Sequence, residues 1–271
     1  MRYVLVLILL MIGWSLLPSC SKDYQIDLPA HESSLVVECY LEDGQPLRAL
    51  VSESTELLDT SLIPPVFIDA VVTITHAGIT DTLSPFIYVD TARSRAYNYG
   101  SNTIVHADYS SGEPYRIDVW DSKGRHVSGS TRFLKQVPIT SLTTEFNDED
   151  EAFCLTTFAD EPGVKNYYRL VLKRNAQNDS IQQNRFFNDD LVNNRDELVV
   201  RSRNRFSSGD SIHATLYHLT FDYYQYLNTS QNAQSALANP FAASGEVVTN
   251  IEGGLGVFAA LSFTQKSVQV P

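Results

Sequence analysis

The stretch "EVVTNIEGGLGVFAALSF", residues 246–263, decides how this chain is read. Gly254, Gly256 and Ala259 match the G-x-G-x-x-G/A spacing of a dinucleotide-binding turn, and an apolar run precedes them. Such a turn works because a helix follows, aiming its first N–H groups at a pyrophosphate, with an acidic residue about 20 positions on for the ribose. Here the following residues, "VFAALSFTQKSVQV", are rich in strand formers and contain no acid. The glycines are therefore expected to serve a tight turn between two strands, where positive φ is needed, and no cofactor is expected.

Working outward, β signals recur along the chain. In "SSLVVECYLEDGQPLRALVSE" (33–53), Leu35, Val37, Cys39 and Leu41 share one face, and "DGQP" turns into a second strand. "DAVVTITHAGITDTL" (69–83) and "EPYRIDVWDSKGRHVSGSTRF" (113–133) repeat the device, and this first unit is expected to end near "KQVPIT". A second unit follows, with strands around the acidic stretch Asp148 to Glu151 and a turn at Pro162 and Gly163. Residues 174–196 are strongly polar and suit an exposed loop or extended hairpin. Only "TFDYYQYLNTSQNAQSAL" has helical spacing, with Phe221, Tyr224 and Leu227 in register, Thr220 or Asp222 as cap and Pro240 beyond the end. The expected fold is all-β: two consecutive Ig-like β-sandwich units, 33–137 and 138–271, the second with one short α-helix near 221–237.

Residues 1–19 read as a secretory leader: Arg2, a continuous apolar run too short to span a bilayer, then Leu17, Pro18 and Ser19 before Cys20. That ending resembles a bacterial lipobox, which makes Cys20 the expected site of lipidation and residues 20–32 a tether. Acyl chains contribute about 0.8 kcal/mol per buried CH₂, so several of them anchor a protein firmly beside the bilayer. The net charge of −12 argues against nucleic acid, whose recognition needs basic patches. Cys39 and Cys154 lie in separate alternating runs; export would permit a disulfide, but two buried free thiols fit the pattern better, and neither has metal-ligand spacing.

Several of these segments occur together in one known family. The lipobox start, "LVVECYLEDGQP", "SESTELLDT", "DAVVTI", "YRIDVW", "DEPGVKNYYRLVL", "DYYQYL" and above all "NPFAASGEVVTNIEGGLGVFAA" resemble the Bacteroidota lipoproteins of domain of unknown function 4249, over essentially the whole chain after the leader. The resemblance implies an outer-membrane or cell-surface lipoprotein, of a kind encoded near TonB-dependent receptors, without assigned catalysis or catalytic residues. Cys39 departs from the family pattern, where a small residue such as glycine is expected; this concerns packing.

Candidate chemistry is sparse. No G-x-S-x-G elbow is present and the six histidines are scattered. His213 and His218, five apart on one strand, point to opposite faces and do not share a metal. The stretch "NDEDE", residues 147–151, lacks the spacing and glycine of an EF-hand and reads as a solvated turn, so no metal is expected. Contact with a ligand or partner is assigned to Phe186, Phe187, Asp189 and Asp190 in the polar segment and to Tyr223 and Tyr226 on the helix; pinning of the segment to the domain beneath is the equal alternative for the two phenylalanines, and core packing is the commoner role for helical tyrosines. The expected function is a non-enzymatic accessory or binding subunit, membrane-held by its lipid anchor and partnered by a TonB-dependent outer-membrane receptor. A surface adhesin or fibre-associated protein is the rival, and a hydrolase comes third.

Overall fold

A computed structural model describes residues 32–55, 69–91, 93, 95–176, 180–190, 195–237 and 245–271. The leader, Cys20 and the tether as far as His31 lie outside the described residues. So do residues 177–179 and 191–194 of the polar segment.

Alternation of apolar and polar residues builds two layers of strands around the first core. One layer holds β1 (Leu35–Glu42), β2 (Pro46–Glu53) and β5 (Arg95–Ile104); the other holds β3 (Val71–His76), β6 (Tyr115–Trp120), β7 (His126–Thr131) and the two-residue β14 (Ile251–Glu252). A twelve-residue strand, β4 (Ile79–Asp90), passes between them: its first half pairs with β3, its second with β5. The change of partner comes at Ser84 and Pro85, where proline removes a ladder donor. Val37, Cys39, Val51, Val72, Val119 and Phe258 meet in the interior without measurable exposure.

The second core lies between β10 (Tyr167–Arg174), β11 (Ile181–Asn188) and β13 (Ser211–Leu219) on one side and β8 (Ile139–Phe146), β9 (Ala152–Ala159) and β12 (Glu197–Arg201) on the other. The all-β, sandwich-like architecture is as the sequence implies. Its connection is less simple than a boundary at residue 137. The final strand, β15 (Leu255–Gln269), runs parallel to β1 over residues 255–261 and then antiparallel to β13 over 262–269. One strand thus belongs to both sandwiches, and Ser33–Pro271 form one compact unit.

The opening stretch supplies that junction. Gly253 and Gly254 turn β14 into β15, and Gly256 lies opposite Val37 in the parallel ladder. A Cβ on Gly256 would stand 2.0 Å from the Val37 carbonyl oxygen, and its φ of +112° is one that side chains disfavour. Among the described residues the other edge of this half-strand has no long neighbour, and side chains take over the ladder. Asn250 Oδ1 accepts from the Phe258 N–H at 2.9 Å while its Nδ2 donates to the Phe258 carbonyl at 2.7 Å, and Thr249 Oγ1 donates to the Gly256 carbonyl at 2.8 Å. Backbone groups that would otherwise be buried and unpaired are satisfied in this way.

Helix α1 (Phe221–Leu237) covers the outer face of β15, capped by the Thr220 hydroxyl 3.4 Å from the Tyr223 N–H. The expected stripe of Phe221, Tyr224 and Leu227 is not the deepest one. Phe221 is 48% exposed, whereas Tyr223 is 2% exposed and sits with Val257, Ala259 and Leu261. Cys39 and Cys154 are both free and buried; burial pushes the Cys154 thiol up to about 11. Among the described residues no helix is long and apolar enough to cross a membrane.

Charge fixes one inter-layer contact. Glu53 at the end of β2 meets Lys123 Nζ at 2.7 Å and Arg125 Nη2 at 2.6 Å, both from the β6–β7 turn. These contacts, Lys123 foremost, hold the Glu53 carboxyl down at about 2. A depressed acid stabilises the fold above its unfolded pKa and loses that contribution as pH falls through its folded value. Acid unfolding is therefore expected to shift to higher pH in Glu53→Gln, with the difference from wild type vanishing near pH 2; identical acid titrations by circular dichroism would remove the Glu53 contribution.

Candidate functional site

A crevice opens where the segment joining β7 to β8 passes the β9–β10 turn and the start of α1. It has two lobes, of about 660 and 370 Å³. Glu161, Asn166 and His218 line both. The larger lobe adds Arg132, Lys165, Tyr167, Phe221 and Asp222, and the smaller adds Lys135, Pro138, Asp160, Pro162 and Tyr168.

The sequence "DEPGVKNYY" shapes the wall. Pro162 and Gly163, the latter at φ +78°, reverse the chain between β9 and β10, and the Asn166 side chain folds beneath the turn. Asn166 Nδ2 donates to the Val164 carbonyl at 3.0 Å and to Asp160 Oδ1 at 3.3 Å, and its backbone N–H donates to Asp189 Oδ2 at 2.9 Å. Tyr168 Oη donates to the same Asp160 oxygen at 2.5 Å. Asp160 is 9% exposed and Asp189 0%. Burial, reinforced by the Asp160 charge and opposed by the Asn166 N–H, raises the Asp189 carboxyl above the usual carboxylate range.

His218 closes the network. Its Nδ1 lies 2.8 Å from the Lys135 carbonyl and its Nε2 3.2 Å from Asn166 Oδ1. The two donations made by the Asn166 amide nitrogen fix that side chain's orientation, so both ring nitrogens face acceptors. A neutral ring fills one contact and sets a lone pair against the other; a protonated ring fills both. Burial pushes the His218 imidazole down, while the Lys135 carbonyl and the Asp160 and Asp189 charges pull it back up.

The residues assigned to contact from sequence are not gathered here. Phe186 and Phe187 lie on β11, which pairs antiparallel with β10, the extended hairpin of the two forms the polar segment suits. Phe187 packs on Phe158 and Tyr168, while Phe186 meets Tyr224 edge-on at 6.3 Å. Asp189 turns inward and is fully buried, which removes it as a surface contact; Asp190 remains at the surface, 2.9 Å from Lys165. Tyr223 is likewise core, edge-on to Tyr40, and Tyr226 stacks beside it half-buried. Sequence reasoning missed Asp160, Asn166 and Tyr168. The available signal was a Pro-Gly turn flanked by an acid and an amide.

Other titratable groups are spread over the sheets. His213 and His218 do project to opposite faces. His213 Nδ1 stands 2.7 Å from Ser267 Oγ, but its Nε2 faces the Asn175 carbonyl at 3.4 Å, so no carboxylate orients the ring. Residues 147–151 form the β8–β9 turn, organised by Asn147 Oδ1 accepting from the Glu149 and Glu151 N–H groups. Among the described residues no three His, Cys, Asp or Glu side chains cluster as a metal site would require.

Solved structures similar to this chain are remote. A chain of a cytokine receptor complex is 11% identical, with 88% of this chain and 96% of that one covered and a TM-score of 0.26. A DUF4785 family protein from Legionella pneumophila is 14% identical over 67% of this chain and 52% of its own, at a TM-score of 0.24. Neither likeness bears on function. No curated protein matches. The model of the family described as "Domain of unknown function (DUF4249)" matches residues 21–267, and the chain belongs to that family.

Proposed function

We propose that this protein is a lipid-anchored binding subunit of the outer membrane or cell surface, non-enzymatic, and docked as an accessory on a TonB-dependent transporter. The leader and the Leu17-Pro18-Ser19-Cys20 sequence support the address. The crevice carries the binding reading: charged and aromatic side chains line an open cleft, and its amide, imidazole and carboxyl groups are tied to one another as fixed walls. Recognition surfaces are commonly built this way, on turns held by a rigid β scaffold.

The test is affinity purification of the tagged full chain from native envelopes after detergent extraction. A TonB-dependent barrel is expected to co-purify, and Cys20→Ala is expected to leave the membrane fraction and lose that partner. Recovery as a polymer ladder would replace the reading with a fibre-associated protein, and substrate turnover by the purified chain would replace it with an enzyme.

A further inference from the structure

A separate cavity, of about 200 Å³, opens on the outer face of the first sandwich beside helix α1 and shares no lining residue with the crevice. Its walls come from three neighbouring strands: Glu38 and Tyr40 from β1, Leu50 from β2, and Arg95 and Tyr97 from β5. Glu38 and Tyr40 alternate with the core residues Val37 and Cys39, so they project away from the interior, and Leu50 lies opposite Glu38 in the ladder. Tyr40 meets Tyr223 of the helix edge-on at 6.1 Å. The polar groups are held in place but only partly used. Arg95 lays its guanidinium 3.7 Å over the Tyr40 ring and donates to the Tyr97 hydroxyl, and the Tyr40 hydroxyl donates to Glu38. Among the described residues neither Glu38 nor Arg95 forms a salt bridge, whereas nearby Arg93 takes both Glu42 and Asp90. Neither leaves an unpartnered atom sealed from solvent. A carboxylate has about four acceptor sites and a guanidinium about five donors, so their unused capacity opens on the cavity.

We propose that this cavity binds one ring of a neutral saccharide, held between Glu38 and Arg95. The carboxylate only accepts hydrogen bonds and the guanidinium only donates them. An anionic ligand is repelled by Glu38 and a cationic one by Arg95, in a place where burial already raises the Glu38 carboxyl against the pull of Arg95 and Tyr40. Sugar hydroxyls donate and accept at once, so neighbouring hydroxyls of one ring satisfy both groups, and the Tyr40 and Tyr97 phenols, without bringing a charge. Leu50 and the tyrosine rings offer apolar surface to the ring's C–H face. The volume equals that of about seven liquid waters, enough for one sugar ring and less than the roughly 300–1,000 Å³ of sites for drug-sized molecules. Tyr97 also leads outward to Tyr88, its cross-strand partner on β4, and then to Phe86, with 6.3 Å between successive ring centroids. Arg48 stands 4.1 Å over Tyr88, and both outer rings are exposed, so the next unit of an oligosaccharide meets aromatic surface on leaving the cavity. The inference concerns this second site and does not rest on the transporter reading.

Saturation-transfer NMR of the full chain with the methyl glycosides of glucose, galactose, mannose and N-acetylglucosamine tests it, with glucuronic acid and free glutamine as charged comparisons. At least one neutral glycoside is expected to receive saturation at millimolar concentration, more strongly than either charged probe. Glu38→Gln and Arg95→Lys are expected to weaken that binding about tenfold or more, the first by removing a charged acceptor and the second by removing the planar fork, while Glu252→Gln at an exposed turn leaves it unchanged. Should either cavity variant fail to fold, shifts of the Tyr40 and Tyr97 ring resonances on adding the glycoside to the wild type decide instead. No transfer to any neutral glycoside, preference for glucuronic acid or glutamine, undiminished binding by the folded cavity variants, or unmoved Tyr40 and Tyr97 resonances would each overturn the assignment.

Discussion

Gly256→Ala is expected to destabilise the protein by about 3–6 kcal/mol, enough to leave much of it unfolded or insoluble, given net stabilities of about 5–15 kcal/mol for domains. The added methyl would sit 2.0 Å from the Val37 carbonyl oxygen and 2.8 Å from its carbon, which are backbone atoms of a fully buried residue in a paired strand and do not swing aside. Moving them separates β15 from β1 across the register that runs from Val36 and Leu255 to Glu42 and Leu261. The φ of +112° adds strain of about 1–3 kcal/mol for any residue with a Cβ. Because β15 belongs to both sandwiches, the damage is expected to reach both, and urea unfolding followed by circular dichroism should show one transition shifted as a whole. Gly245→Ala, where nothing among the described residues stands within 4 Å, is the control and should stay within about 0.5 kcal/mol of wild type. An unfolding midpoint for Gly256→Ala equal to that of wild type would show that β1 and β15 do not approach as closely as described.

The contrast between those two glycines marks what the sequence discloses. That Gly254 and Gly256 serve a strand turn was readable, because strand-forming residues and no helix follow them. Strand β1 was readable residue by residue, since its alternation of apolar and polar residues is the alternation of its burial. The partner of β15 was not, because pairing Gly256 with Val37 is a long-range choice that local periodicity does not encode. A clue was nonetheless present: Val257 to Leu261 is apolar without a break, the pattern of a strand covered on both faces, and in the structure Val257 to Ser262 is buried throughout. Asp189 misled for a different reason. Acids in a polar run are almost always solvated, and its burial becomes intelligible only beside Asn166, more than twenty residues earlier. The helix was placed correctly, but aromatic residues occupy several of its faces, so the sequence pattern did not single out Tyr223.

Asn98→Leu is the second change expected to be severe, although the two side chains have nearly the same volume. The described ladder between β2 and β5 reaches Ala49 and Tyr99, and beyond it the Asn98 side chain continues the pairing in place of a backbone. Its Oδ1 accepts from the Val51 N–H at 2.7 Å and its Nδ2 donates to the Val51 carbonyl at 2.8 Å, with Asn98 only 2% exposed. Leucine fills the space and strands both groups of Val51, each a loss of about 1–3 kcal/mol, for a total of about 2–5 kcal/mol. Asn98→Asp separates polarity from hydrogen bonding: it keeps an acceptor for the N–H but sets a carboxylate against the carbonyl, so it is expected to be less stable at neutral pH and to recover in acid, where the protonated side chain donates again. Urea denaturation of the three proteins at two pH values checks both arms. If Asn98→Leu unfolds at the wild-type midpoint, burial of Val51 and not its pairing with Asn98 holds β2 in place.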